Sequence, residues 1–288
     1  MSRFWTRLLS LGLVTTLLAT SGCARLISNQ ANKFADGLTQ AIRAQDDLKT
    51  VEAGAPAYML LLESMLQDDD PSPSMLLGTA NLYSFYAGIF ATDPERQKRL
   101  NNKALNYALQ GSCGLQKVLC DADSTPLKTF AQNLETLDKG DVADIYNLGS
   151  IWAGWLQSNS GDWNAIAKLG HIKALMSKSI ELDEQYDNGT AHLYMGVLNT
   201  LLPAAMGGQP AKGKEHFEKA LTLSEGQNQL VKVYYAKYYA RLMFDQELHN
   251  RLLIEVTTST NSPKEFTLIN QLAKKQAAEL LAGESDYF

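Results

Sequence analysis

The chain has 288 residues, 45% of them hydrophobic and only 20% charged, so it can bury one or two sizeable cores and is not disordered by default. Its formal charge is −5, and becomes about −7 if a leader holding Arg3 and Arg7 is removed, because two bases leave and no acid does. That balance argues against a nucleic-acid partner, since phosphate binding needs a basic face.

The N-terminus carries the most specific pattern. Arg3 and Arg7 form a basic opening, Leu8 to Leu18 is an apolar run, and Thr20-Ser21-Gly22-Cys23 ends it with small residues before a cysteine. The run is shorter than the roughly 20 apolar residues a membrane span needs. Residues 1–22 thus resemble a bacterial lipoprotein signal peptide, although Thr20 stands where that family usually has Leu. The resemblance implies lipid attachment at Cys23: its thiol takes a diacylglyceryl group, the preceding bond is cut, and the new N-terminus is acylated. Ala24 after the cysteine implies, by the same resemblance, the periplasmic face of an outer membrane. At about 0.8 kcal/mol per buried methylene, two or three acyl chains would tether the body without embedding it. The other reading is an ordinary secretory cleavage that leaves Cys23 a free thiol. Cys113 and Cys120 remain, seven positions apart; in an oxidising compartment they form a local disulfide, or stay as two buried thiols if one helix holds both.

Residues 23–50 read as a lipid-anchored linker and a first helix with a narrow stripe of Ile27, Phe34, Leu38, Ala41 and Ile42. Residues 51–288 read as one helical domain. Pro56 opens AYMLLLESML, and DDDPSPS breaks it as a solvated loop. Ser74 is placed to cap MLLGTANLYSFYAGIF, a helix apolar almost all round and therefore central. Pro94 opens its partner helix, and Gly111 to Asp141 reads as an insertion with a short helix from Pro126 to Leu137. Asp141 caps the next helix, DVADIYNLGSIWAGWLQ, and IAKLGHIKALMSKSIELD follows. From Asp187 to Val256 the spacing predicts two antiparallel helical hairpins joined by a glycine-marked step. Pro263 starts a last helix through Leu281, which Gly283 ends.

These helices pair off in a recurring way. First helices carry Leu77-Gly78, Leu148-Gly149 and Met195-Gly196; second helices carry Lys103-Ala104-Leu105, Lys178-Ser179-Ile180 and Lys219-Ala220-Leu221. The predicted fold class is all-α, an array of helical hairpins with extra helices at both ends. It is similar to a degenerate tetratricopeptide pattern, in which a small residue on the first helix lets the second pack closely; Gly196, Phe217 and Ala220 match those roles. The loops are longer than the pattern's, and its closing Pro is absent.

Catalytic patterns are weak throughout. Gly208 to Glu215 misses a phosphate-binding loop at its last position, where Glu215 would face anionic phosphate instead of a hydroxyl holding magnesium. His171, His192, His216 and His249 form no ligand pair by spacing, Asp121 to Pro126 lacks a calcium loop's glycine, and no nucleophile elbow occurs. We therefore expect no enzyme, no cofactor and no metal; a polar cleft gathering His192, His216 and carboxylates would reopen the question. What remains is aromatic surface. Trp152, Trp155, Tyr194, Tyr234 and Tyr238 are the candidate ligand- or partner-binding residues, with Trp163, Tyr235 and Tyr239 nearby. They either fill the core or line a groove or internal pore for an apolar ligand.

The lipid signal, the degenerate helix pairs, the run GGQPAKGKEHFEKALTLSEGQNQLVKVYYAKYYA and LIEVT at Leu253 to Thr257 resemble the T component of tripartite ATP-independent periplasmic (TRAP) transporters, over roughly residues 50 to 256. The resemblance implies a tetratricopeptide-like lipoprotein that forms a homotrimer and pairs with the transporter's periplasmic substrate-binding protein. It also implies a pore in each subunit for a hydrophobic small molecule. The competing reading is a structural adaptor that uses the same helix surfaces to assemble an envelope complex.

Overall fold

A computed structural model describes residues 37, 40–67, 71–260 and 263–288. The signal peptide, the lipid-attachment cysteine Cys23, most of the first-helix stripe (Ile27, Phe34 and Leu38) and Asp68 to Asp70 lie outside the described residues. The molecule is 78% helical and has no strand among the described residues, so the all-α expectation holds.

Twelve α-helices follow one another among the described residues. They are α1 (Leu48–Met65), α2 (Pro73–Ile89), α3 (Pro94–Leu115), α4 (Leu127–Leu134), α5 (Val142–Ser158) and α6 (Trp163–Ile166). The second half holds α7 (Leu169–Leu182), α8 (Thr190–Thr200), α9 (Pro210–Leu223), α10 (Gln229–Tyr234), α11 (Gln246–Thr258) and α12 (Thr267–Ala282). A π-helix, Tyr235–Ala240, continues α10.

Local chemistry explains the boundaries. Asp47 caps α1 by accepting from the Lys49 N–H, Asp93 caps α3 from Arg96, and Asp245 caps α11 from Leu248. Prolines stand in the first turns of α2, α3 and α9, where a missing N–H costs nothing. Two boundaries differ from the sequence reading. Pro56 does not start a helix but lies inside α1, and Ser72, not Ser74, is the cap position of α2. The helix passes through Pro56 because the carbonyl it leaves unpaired belongs to Glu52, which is exposed and can turn to water.

Helices α2 and α3 pack as one antiparallel pair, α5 and α7 as a second, α8 and α9 as a third, and α11 with α12 closes the chain. Contacts of α3 with α5 and of α7 with α8 join these pairs in sequence. One cluster runs from Val51 on α1 through the first two pairs to Ala191, Met195 and Leu198 on α8, with Leu268 of α12, and a second, around Leu193, Phe217, Val233, Leu253 and Ala277, fills the space from α8 and α9 to the end. In the third pair a Cβ on Gly196 would meet the Phe217 ring at 2.8 Å, so the small-against-large contact is real there. In the first pair Gly78 meets nothing within 4 Å; the close approach is made by Gly111 against Pro73 and Leu77.

The insertion is ordered by a covalent link. α3 ends at Leu115, Gln116 turns extended, and a short 3-10 turn, Lys117–Leu119, brings Cys120 back to Cys113, with which it is disulfide-bonded.

Candidate functional site: a strip of tyrosines

Helix α5 presents Tyr146, Ser150 and Gln157 along one side, α8 adds Tyr194, and α10 with its π-helical continuation adds Tyr234 and Tyr238. The rings form two groups, with Tyr194 of the first near Tyr234 of the second. Tyr146 lies 5.2 Å from Tyr186 and 6.1 Å from Tyr194, both edge-on, and Tyr234 lies 5.4 Å from Tyr238. Gln157 donates to the Tyr238 hydroxyl at 2.6 Å and so closes the far end. Eleven residues separate Tyr146 from Gln157, which at about 1.5 Å per residue makes the strip roughly 16 Å long.

Tyr194, Tyr234 and Tyr238 are only half-buried, yet burial is the first cause that raises the pKa of each phenol. These phenols are thus packed among neighbours and still partly open to solvent, where a ligand could reach them. Tyr146, buried, is raised well above the usual phenol value, first by burial and then by the Asp187 carboxylate. All four are therefore neutral hydroxyls at ordinary pH, able to donate and accept, set among ring faces.

The near end is built on unusual backbone. Asp187, Asn188 and Gly189 all have left-handed φ, at 47°, 56° and 73°. Gly189 is required twice over, since a Cβ there would also strike Leu223 at 2.5 Å. This turn aims Asp187 so that one oxygen accepts from the Tyr146 hydroxyl at 2.9 Å while the other faces Arg43 at 3.4 Å. At the other end Lys237 stands over the Tyr238 ring at 5.3 Å, its pKa lowered by burial and by Arg241.

The remaining candidates sit elsewhere. Trp152 is 1% exposed and packs 5.8 Å from His171 in the core, so it lines nothing. Trp155 is half-buried and donates its indole N–H to Asn102 on α3 at 2.7 Å. Trp163 projects into solvent, and Tyr235 stacks on Phe217 at 5.2 Å inside the second cluster. Sequence reasoning missed Tyr146, Tyr186, Asp187 and Gln157; the only hint was that Tyr146 and Gln157 lie on α5 three turns apart, on the side opposite Trp152. A recess of about 240 Å³, lined by Leu48, Ile89, Phe90 and Leu272 with Lys49, Glu52 and Lys275 beside it, lies against the first and last helices.

His192 and His216 do meet, Nδ1 to Nδ1 at 2.8 Å, with Glu184 3.4 Å from His192. The facing nitrogens are bonded to each other and His192 is buried, so this is not an open catalytic cleft. Among the described residues no three His, Cys, Asp or Glu side chains converge on a metal position.

A family model described as TRAP transporter T-component matches residues 44–288. The chain belongs to the TRAP transporter T-component family. The match runs through every helix of the array, the tyrosine strip included, and a T-component is an accessory part of a transporter. No curated protein matches the chain.

Proposed function

We propose that this T-component is a lipid-anchored accessory protein on the periplasmic face of the outer membrane, tethered through Cys23. In this reading it docks with the substrate-binding protein of a TRAP transporter, works as a homotrimer, and holds an apolar small molecule against the tyrosine strip. It performs no catalysis. Family membership supports the transporter role; the strip carries the ligand reading, because three separate elements contribute neutral phenols and ring faces to one partly open wall.

Such a wall suits a largely apolar molecule with one or two hydrogen-bonding atoms. Ring faces supply contact area, and the hydroxyls of Tyr194, Tyr234 and Tyr238 fix orientation. Titration with the neutral apolar fluorophore N-phenyl-1-naphthylamine tests this. The delipidated protein should bind it saturably, and Tyr194→Ala and Tyr238→Ala should each weaken binding about tenfold or more, since losing a ring contact costs on the order of 1.5 kcal/mol. Binding unchanged in both variants would overturn the assignment.

The adaptor reading has one observation in its favour. Leu60, Leu61 and Met65 on α1 are 68%, 45% and 44% exposed, a bare apolar stretch of the kind that marks a protein contact. Loss of complex assembly in Leu60→Lys with probe binding intact would favour that reading over ligand transfer.

A further inference from the structure

We propose that the His192–His216 contact is a pH-sensitive joint between α8 and α9 that holds at neutral pH and loosens in mildly acidic surroundings. The geometry dictates this. Two Nδ1 atoms 2.8 Å apart can bond only if one carries a proton and the other offers a lone pair. Nε2 of His192 is buried without a hydrogen bond, and the nearest acceptor is the Glu184 carboxylate at 3.4 Å, whose negative charge favours that ring's proton on Nε2 and leaves its Nδ1 as the acceptor. His216 is then the donor through Nδ1–H. A proton added to Nδ1 of His192 would set two N–H groups against each other, and the rings, whose centroids are 5.0 Å apart, would have to part.

The surroundings oppose protonation of either ring. Facing the pair are Lys173 from α7, Lys212 and Lys219 from α9, and Glu184 from the segment between α7 and α8. Three cations stand against one carboxylate, which is itself paired with Lys219 at 3.2 Å. Burial first, then His192, Lys173 and Lys212, bring the pKa of His216 down to about 4; burial also lowers that of His192, against the pull of Glu184. A base whose folded pKa lies below its unfolded value of 6.5 binds more protons when unfolded. The joint's contribution is therefore complete above pH 6.5 and lost progressively as pH falls from there toward 4.

The joint matters because α8 carries His192 on one side and Tyr194 on another, so its hold on α9 sets the position of a strip-lining helix. It stands whether or not the strip takes a ligand, and the test reads it without one. The melting temperature of the delipidated protein should fall by roughly 3–6 °C between pH 7.5 and pH 5 beyond the fall seen in His216→Gln, whose amide does not titrate. Parallel curves for the two proteins would overturn the proposal. Should the variant not fold, histidine proton NMR of the wild-type chain decides: at least one of its four histidine ring signals should stay still down to pH 5, and titration of all four near pH 6.5 would overturn it.

Discussion

Gly196 shows how much one methyl group weighs in this fold. A Cβ there would lie within 2.9 Å of three atoms of the Phe217 ring, itself fully buried, so the ring cannot swing away cheaply. Gly196→Ala should cost about 1–3 kcal/mol by overpacking, read as a lower urea midpoint, and Phe217→Leu in the same chain should return part of it. An unchanged midpoint would mean that α8 and α9 are not in the close contact described. Glu63 supplies a second residue-scale expectation. Burial favours its neutral form, but hydrogen bonds from Lys103, Tyr107 and Tyr83 outweigh burial and leave its pKa below 4.5. A depressed carboxylate pKa gives stability that is present above the unfolded value and lost as pH falls through the folded one. The stability of Glu63→Gln should therefore depend less on pH below about 4.5 than that of the wild-type chain, and an equally steep acid limb would count against the network.

Among the elements, the disulfide loop offers the sharpest test. Cys113 and Cys120 close a short ring, which restrains the unfolded chain only modestly, so reduction or Cys120→Ser should cost about 2 kcal/mol. Thermal melts with and without reductant measure it; no change would show that the bond does not persist in solution. Most elements were legible because glycine and proline mark their ends: Pro94, Pro210 and Gly283 stand at or next to the predicted boundaries. Pro56 misled for a physical reason, since an exposed carbonyl partner makes proline tolerable inside a helix. The π-helix at Tyr235–Ala240 could not be read from a 3.6-residue period, because its bonds reach five residues back, as from Arg241 N–H to the Ala236 carbonyl at 3.2 Å. The strip was half legible for a different reason. Tyr194, Tyr234 and Tyr238 announce themselves as aromatic, but only packing shows that Tyr146 and Gln157 face them while Trp152 turns inward.

Across the whole molecule, pairs of helices joined in sequence bring distant residues to one wall, and α1 comes back against α12 at the end. No single helix could make the strip; it exists because α5, α8 and α10 are neighbours in the array. In the proposed function this wall, on an accessory transporter protein, holds an apolar molecule. Native mass spectrometry of delipidated protein purified gently from its own host shows whether it does. A retained small organic molecule, present in the wild-type chain and missing from a folded Tyr194→Ala, Tyr238→Ala double variant, is the predicted result. A wild-type chain that carries nothing, or a variant that carries the same molecule at the same occupancy, would contradict it.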